Sequence, residues 1–135
     1  MADLAITAAS VLPTGNTAID RSGTAGEAIS AGQVVYRDTT TRQWMLAQNN
    51  GTGTRVPGGI ALNSAGAGQP LAVQTAGSIT IGAALTVGDA YYLSANAGGI
   101  CLRADLVAGD DVALIGIASS ATVLALNIQA PGVTL

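Results

Sequence analysis

The chain has no histidine, no lysine and no phenylalanine. It carries one cysteine, one tryptophan and three tyrosines, and only 10% of its 135 residues are charged. Each absence excludes a class of chemistry. Without histidine there is no Ser-His-Asp or Cys-His arrangement to activate a nucleophile. Without histidine and with a single cysteine, a zinc site of the usual donor set cannot be assembled. Without lysine there is neither a Walker A lysine nor a Schiff base. A net charge of −3 and a pI near 4.4 argue against a polyanion as partner, so no nucleic acid is expected.

What is present is apolar and small. Hydrophobic residues make up 49% of the chain, mostly Ala, Val, Ile and Leu, together with 18 glycines. This is the reverse of a disordered composition. Small side chains bury little area each, at roughly 25 cal/mol per Å², so association with other protein would help the fold. The charge content, well under the ~25% of an ordinary soluble domain, points the same way. The longest strongly apolar run, Val112 to Ala118, is far short of the roughly 20 residues of a membrane span. The start, Met1-Ala2-Asp3-Leu4, lacks the basic region of a secretion signal, and no membrane association is expected. Cys101 cannot form an internal disulfide and reads as a small buried hydrophobe.

Gly and Pro interrupt the chain too often for long helices, and apolar residues recur with a period of two. Gln33–Tyr36, Gln43–Leu46, Pro70–Gln74, Ser78–Ile81, Tyr91–Leu93, Val112–Ala118 and Thr122–Ile128 read as short strands, and Asn50-Gly51 as a turn. The expected fold is all-β: a small barrel or sandwich.

The chain also echoes itself. Ala28-Ile29-Ser30-Ala31-Gly32-Gln33-Val34-Val35-Tyr36 matches Ala84-Leu85-Thr86-Val87-Gly88-Asp89-Ala90-Tyr91-Tyr92 at an offset of 56 residues. At the same offset Trp44 meets Ile100 and Leu46 meets Leu102. Gly59-Ile60-Ala61 matches Gly116-Ile117-Ala118 at 57, and Leu71-Ala72-Val73 matches Leu124-Ala125-Leu126 at 53. The order predicts two similar β-units, about 26–82 and 83–135, closing on each other within a β domain of residues 26–135. Residues 1–25 have no evident partner in the second half. They are expected to be an extended N-terminal arm that adds a strand to a neighbour's sheet, with an ordinary first strand of the same domain as the alternative. On the arm reading, removing residues 1–25 leaves the fold intact.

Other constellations have plain readings. Asn49–Arg55 looks like a phosphate cradle, but Val56 replaces the third glycine of GxGxxG and no lysine follows; a hairpin tip fits better. Asp105, Asp110 and Asp111 lack the spacing of a calcium loop and read as a turn entering a strand. No catalytic residue, metal site or cofactor is expected. Arg21, Arg37, Arg42 and Arg55 fall in the first half, whereas the second half is acidic; an uneven charge distribution can orient a molecule on a partner. Tyr36 and Tyr92 occupy equivalent positions, and Trp44, facing like Leu46, suits a core or a subunit interface.

Three stretches carry a family likeness. They are Ala28 to Asp38; Gly59-Ile60-Ala61-Leu62-Asn63 with Gly68 to Val73; and Gly77 to Gly82 followed by Val87-Gly88-Asp89-Ala90-Tyr91-Tyr92-Leu93-Ser94. Over roughly residues 26–128 this resembles the small capsid cement, or head decoration, proteins of tailed bacteriophages. The resemblance implies a non-enzymatic virion protein, made in the host cytoplasm and located on the outer capsid surface. It implies a homotrimer that binds the major capsid protein and clamps neighbouring subunits. Candidate capsid or subunit contacts are Leu4, Ile6, Val11, Leu12, Arg21 and Trp44. The alternative is a head-fibre or tail-associated module that binds a receptor or glycan, which the paucity of aromatics disfavours.

Overall fold

Alternating short apolar runs between glycine turns give strands, and the chain is all-β. The computed structural model describes residues 3–50, 56–130 and 133–135. Among them are β1 (Leu12–Thr24), β2 (Val34–Arg37), β3 (Trp44–Leu46), β4 (Gly59–Ala61), β5 (Pro70–Thr80), β6 (Ala90–Leu93), β7 (Ile100–Leu102), β8 (Leu114–Ala118) and β9 (Val123–Gln129). Single 3-10 turns cover Ala8–Ser10 and Arg103–Asp105. The strands form one curled antiparallel sheet, a half-barrel, in the order β3-β2-β4-β5-β9-β8-β6-β7.

β5 is the hinge of this order. Gln74 pairs with Ile60 of β4 and with Ile19 of β1, while Ser78 pairs with Ala125 of β9 and with Thr14 of β1. β4 and β9 therefore lie end to end along one edge of β5, and β1 runs along the other. The sheet consists of two four-strand groups joined through β5: β3-β2-β4-β5 and β7-β6-β8-β9.

The groups share register as well as order. Val35 pairs with Leu46 and Tyr36 with Met45; 56 residues on, Tyr91 pairs with Leu102 and Tyr92 with Cys101. Val34 pairs with Ile60 as Ala90 pairs with Ile117. The turns match too. Gly32 and Gly88 have φ of 91° and 85°, a conformation that side-chain-bearing residues adopt at a cost. Their amides donate to Ala61 O at 2.8 Å and to Ala118 O at 2.9 Å. Only the closing strand departs from the sequence comparison. Ala61 pairs with Val73 and Ala118 with Leu124, so the structural offset there is 51 residues, not 53. A shift of two preserves which face each residue occupies, which is why the sequence pattern looked right.

Each group lines its concave side with apolar residues. In the first, Ile29, Val35, Trp44, Ala61 and Val73 form a small core. Their counterparts Leu85, Tyr91, Ile100, Ala118 and Leu124 lie in the larger one. The convex side of the first group, with Val34 and Ile60, is buried in that larger core as well. The second group's inner face thus sits on the first group's outer face. Each fully buried Ile or Leu in this joint contributes on the order of 1.5–3 kcal/mol. β5 serves both cores, Val73 in the small one and Ile79 in the large one. It does so through an irregularity at Gln74–Ser78, where register with β1 shifts and Gly77 has φ of 95°. The buried Gln74 side chain braces it, donating to Ala76 O at 3.2 Å and Ser78 O at 2.9 Å.

The expected N-terminal arm is corrected here: residues 12–24 form β1, antiparallel to β5 of its own chain, because long-range pairing outweighs a local composition poor in strand formers. Ahead of it, Leu4, Ile6 and Ala8 pack on the large core and Val11 enters it. The amides of Leu4 and Thr7 donate to Ile100 O and Gly82 O, both at 2.8 Å. Asp20 of β1 pairs with Val73 as Ile79 pairs with Leu124, so the end of β1 has a structural counterpart that its sequence does not reveal. Removing residues 1–25 would strip both a long strand and part of the core, so loss of the fold, not its survival, is the outcome now expected of this deletion.

Candidate interaction surface

The residues singled out from sequence are not gathered in one place. Val11 and Trp44 are buried, and Leu4 and Ile6 pack against the large core. Val11 and Trp44 thus lie in the chain's own interior, whereas Leu4 and Ile6 are half-buried at its edge. Leu12 and Arg21 are exposed on β1, Leu12 at 61%.

Trp44 sits under Arg37, whose guanidinium lies 5.2 Å from the ring centroid. Arg37 also meets Asp20 at 3.2 Å. That half-exposed pair adds little stability, but it fixes β1 against β2 across the mouth of the small core. Asp20 accepts from both the amide and the hydroxyl of Ser22, and these bonds, with Arg37, hold its carboxyl below the usual range. Asp38 is likewise lowered, by the amides of Thr41 and Thr40 in the β2–β3 turn. These carboxylates are structural acceptors.

The acidic cluster divides in the same way. Asp110 is buried and accepts from the Val107 amide at 3.0 Å, closing the turn read from sequence. Asp111 accepts from the Thr134 hydroxyl, where Val133–Leu135 lies along residues 109–112. Asp105 belongs to the 3-10 turn beside Arg103. Among the described residues no group of three or more His, Cys, Asp or Glu is arranged to hold a metal ion. Cys101 is buried, and burial, with the charges of Asp3, Asp105 and Asp110, pushes its thiol up to about 12. A thiol so held is inert as a nucleophile. Gly51–Arg55 of the cradle-like loop lie outside the described residues.

A groove of about 400 Å³ runs beneath the N-terminal segment, lined by Asp3, Leu4, Ile6, Gln33 and Gly98 among others. Its one carboxylate, Asp3, accepts from Ser94 Oγ at 2.6 Å and Asn96 Nδ2 at 3.0 Å. That arrangement ties the segment down. Among the described residues no helix is long and apolar enough to cross a membrane.

The surface feature that the sequence missed is the outer sheet face of the second group. Ala90, Ile117, Ala125, Ser78 and Thr14 are successive partners across β6, β8, β9, β5 and β1. One pleat further, Val123, Thr80 and Leu12 align. Ile117 is 48% exposed and Val87, beside the β6 turn, 62%. Gly-Ile-Ala occurs in both groups, and the pattern read both isoleucines alike. In the structure Ile60 is fully buried and Ile117 is not. Comparison with family models, with curated proteins and with solved structures finds no match for this chain.

Proposed function

We propose that this chain is a structural virion protein that binds the outer surface of a phage capsid and cements neighbouring major capsid subunits. The observation that carries the reading is the run of strand-and-turn motifs over residues 26–128 that resembles head decoration proteins. Those motifs fall on the turn glycines Gly32 and Gly88, on the corresponding strands β2 and β6, and on β4 and β5. The reading includes a homotrimer, with the major capsid protein as partner. A rigid doubled β body with few charges can bury many small contacts, and lattice symmetry multiplies each one.

The test is co-sedimentation of the purified chain with expanded heads of the virion that encodes it. Saturable binding, together with a raised temperature of DNA release, is the expected result. Failure to bind heads, with saturable binding to a host glycan or recovery in isolated tails, would replace it with the receptor-binding alternative.

A further inference from the structure

Residues 3–7 pass over the large core without joining a strand. They alternate: Leu4 and Ile6 are half-buried, Ala5 and Thr7 exposed. The track beneath them is made by glycines of three separate turns. A Cβ on Gly32 would strike Ile6, one on Gly82 the carbonyl oxygen of Thr7, and one on Gly99 the carboxylate of Asp3. Gly99 has no positive φ, so its missing side chain leaves the space that Asp3 fills. Ile100 O, on the outer edge of the end strand β7, and Gly82 O accept from the amides of Leu4 and Thr7, both at 2.8 Å. Ser94 Oγ and Asn96 Nδ2 donate to the two oxygens of the Asp3 carboxylate at 2.6 and 3.0 Å. Among the described residues these bonds hold the segment to the body, and the groove of about 400 Å³ leaves open space beneath it. A segment so held opens locally at far lower cost than the sheet does.

We propose that this glycine track is a binding site for an extended segment of another protein, and that residues 3–7 fill it when that segment is absent. The chemistry recognised is the one the chain's own segment displays: a carboxylate, an apolar residue next to it and a second apolar residue two further on, laid along a strand edge. The first group has the same edge permanently filled. Trp44, the counterpart of Ile100, accepts from the Gly26 amide at 2.9 Å beside Ala25, which has zero exposure. The second group's edge carries a half-exposed segment instead. The occupant is an unlike partner for a reason of mass action. A second copy offers only an identical segment, which would have to displace one already present at an effective concentration of about millimolar. A segment that fits the track better than residues 3–7 takes their place.

The inference is independent of the capsid reading and is tested on the full-length chain. The probe is a fluorescent peptide of residues 3–9, followed by anisotropy. Asp3→Ala combined with Leu4→Ser loosens the chain's own segment and leaves the track unchanged, and this variant should bind the peptide saturably. Wild type should bind it about tenfold more weakly or worse, because its own segment competes. Replacing the peptide's aspartate by alanine, or adding Gly99→Val to the loosened chain, should each lower affinity about tenfold or more. In native-state hydrogen exchange of wild type, the Leu4 and Thr7 amides should exchange about a hundredfold faster than the slowest β5 amides, or faster still. A folded, loosened chain that does not bind the peptide would overturn the proposal. So would binding that is indifferent to both the aspartate and Gly99→Val. Should the loosened chain not fold, the exchange measurement decides: Leu4 and Thr7 amides released only by global unfolding overturn the proposal. Wild-type dimers that dissociate on adding the peptide would give the track to a second copy and overturn the assignment to an unlike partner.

Discussion

At the scale of single residues, the duplicated glycines show how tightly the sheet is built. A Cβ on Gly59 would strike the carbonyl oxygen of Gln74, and one on Gly116 the carbonyl oxygen of Ala125, the same contact in each group. Backbone cannot swing aside as a flexible side chain can. Gly59→Ala and Gly116→Ala should each destabilise by about 1–3 kcal/mol in denaturant unfolding. Gly88 has open space but φ of 85°, so Gly88→Ala should cost about 1–2 kcal/mol from backbone strain alone. Trp44 is 4% exposed, and Trp44→Ala should cost about 3–5 kcal/mol. Cys101 gives a pH signature. Its proton is held up to about 12 in the fold but released near 8.5 in an unfolded chain. The stability it contributes is complete below about pH 8.5 and lost as pH rises toward 12. Thermal unfolding should therefore fall over that range less steeply in Cys101→Ala than in wild type. A thiol reagent at pH 8 should label wild type only on unfolding. The burial of Cys101 was legible in its apolar surroundings. The difference between Ile60 and Ile117 was not, because identical motifs carry no record of which copy the other covers.

At the scale of elements, β1 and β5 organise the sheet, and neither role was evident from pattern. β1 has Pro13, Gly15, Asp20 and Gly23, residues depleted in strands, and three register shifts against β5. Long-range pairing to Leu71, Val73 and Ile79 makes it a strand despite its local composition. Deletion of residues 1–25 should therefore give a chain without a cooperative transition, whereas Arg21→Glu, on the exposed side of β1, should unfold within about 0.5 kcal/mol of wild type. The closing-strand offset was misread by two residues because the connection from Ala61 to Val73 is six residues longer than that from Ala118 to Leu124. The repeat of Gly32–Tyr36 in Gly88–Tyr92 was legible because turn glycine, strand and following partner are all local. Gln74 had no sequence signature. Its amide braces the point where β5 passes between cores while its Oε1 has no partner among the described residues. Gln74→Leu would free Ala76 O and Ser78 O and is expected to destabilise by about 1–3 kcal/mol.

At the scale of the whole molecule, the two groups are alike in plan but not independent. The large core takes Val34 and Ile60 from one and Tyr91, Leu93 and Ile115 from the other. Fragments 1–75 and 76–135 should each lack cooperative unfolding, while the intact chain shows one transition by fluorescence and by circular dichroism. The all-β class and the paired units followed from period and punctuation. The stacking of one group on the back of the other did not, since it depends on contacts remote in sequence. The same asymmetry leaves Ile117 outward where its counterpart Ile60 is buried. On the proposed reading, the chain makes its contact with other protein on a capsid shell. The most direct measurement is a density map of purified virions at a resolution that traces strands. The expected result is this chain's doubled β body on the outer surface, bridging adjacent capsid subunits. Density for it confined to the tail, or a shell that carries none, would contradict the claim.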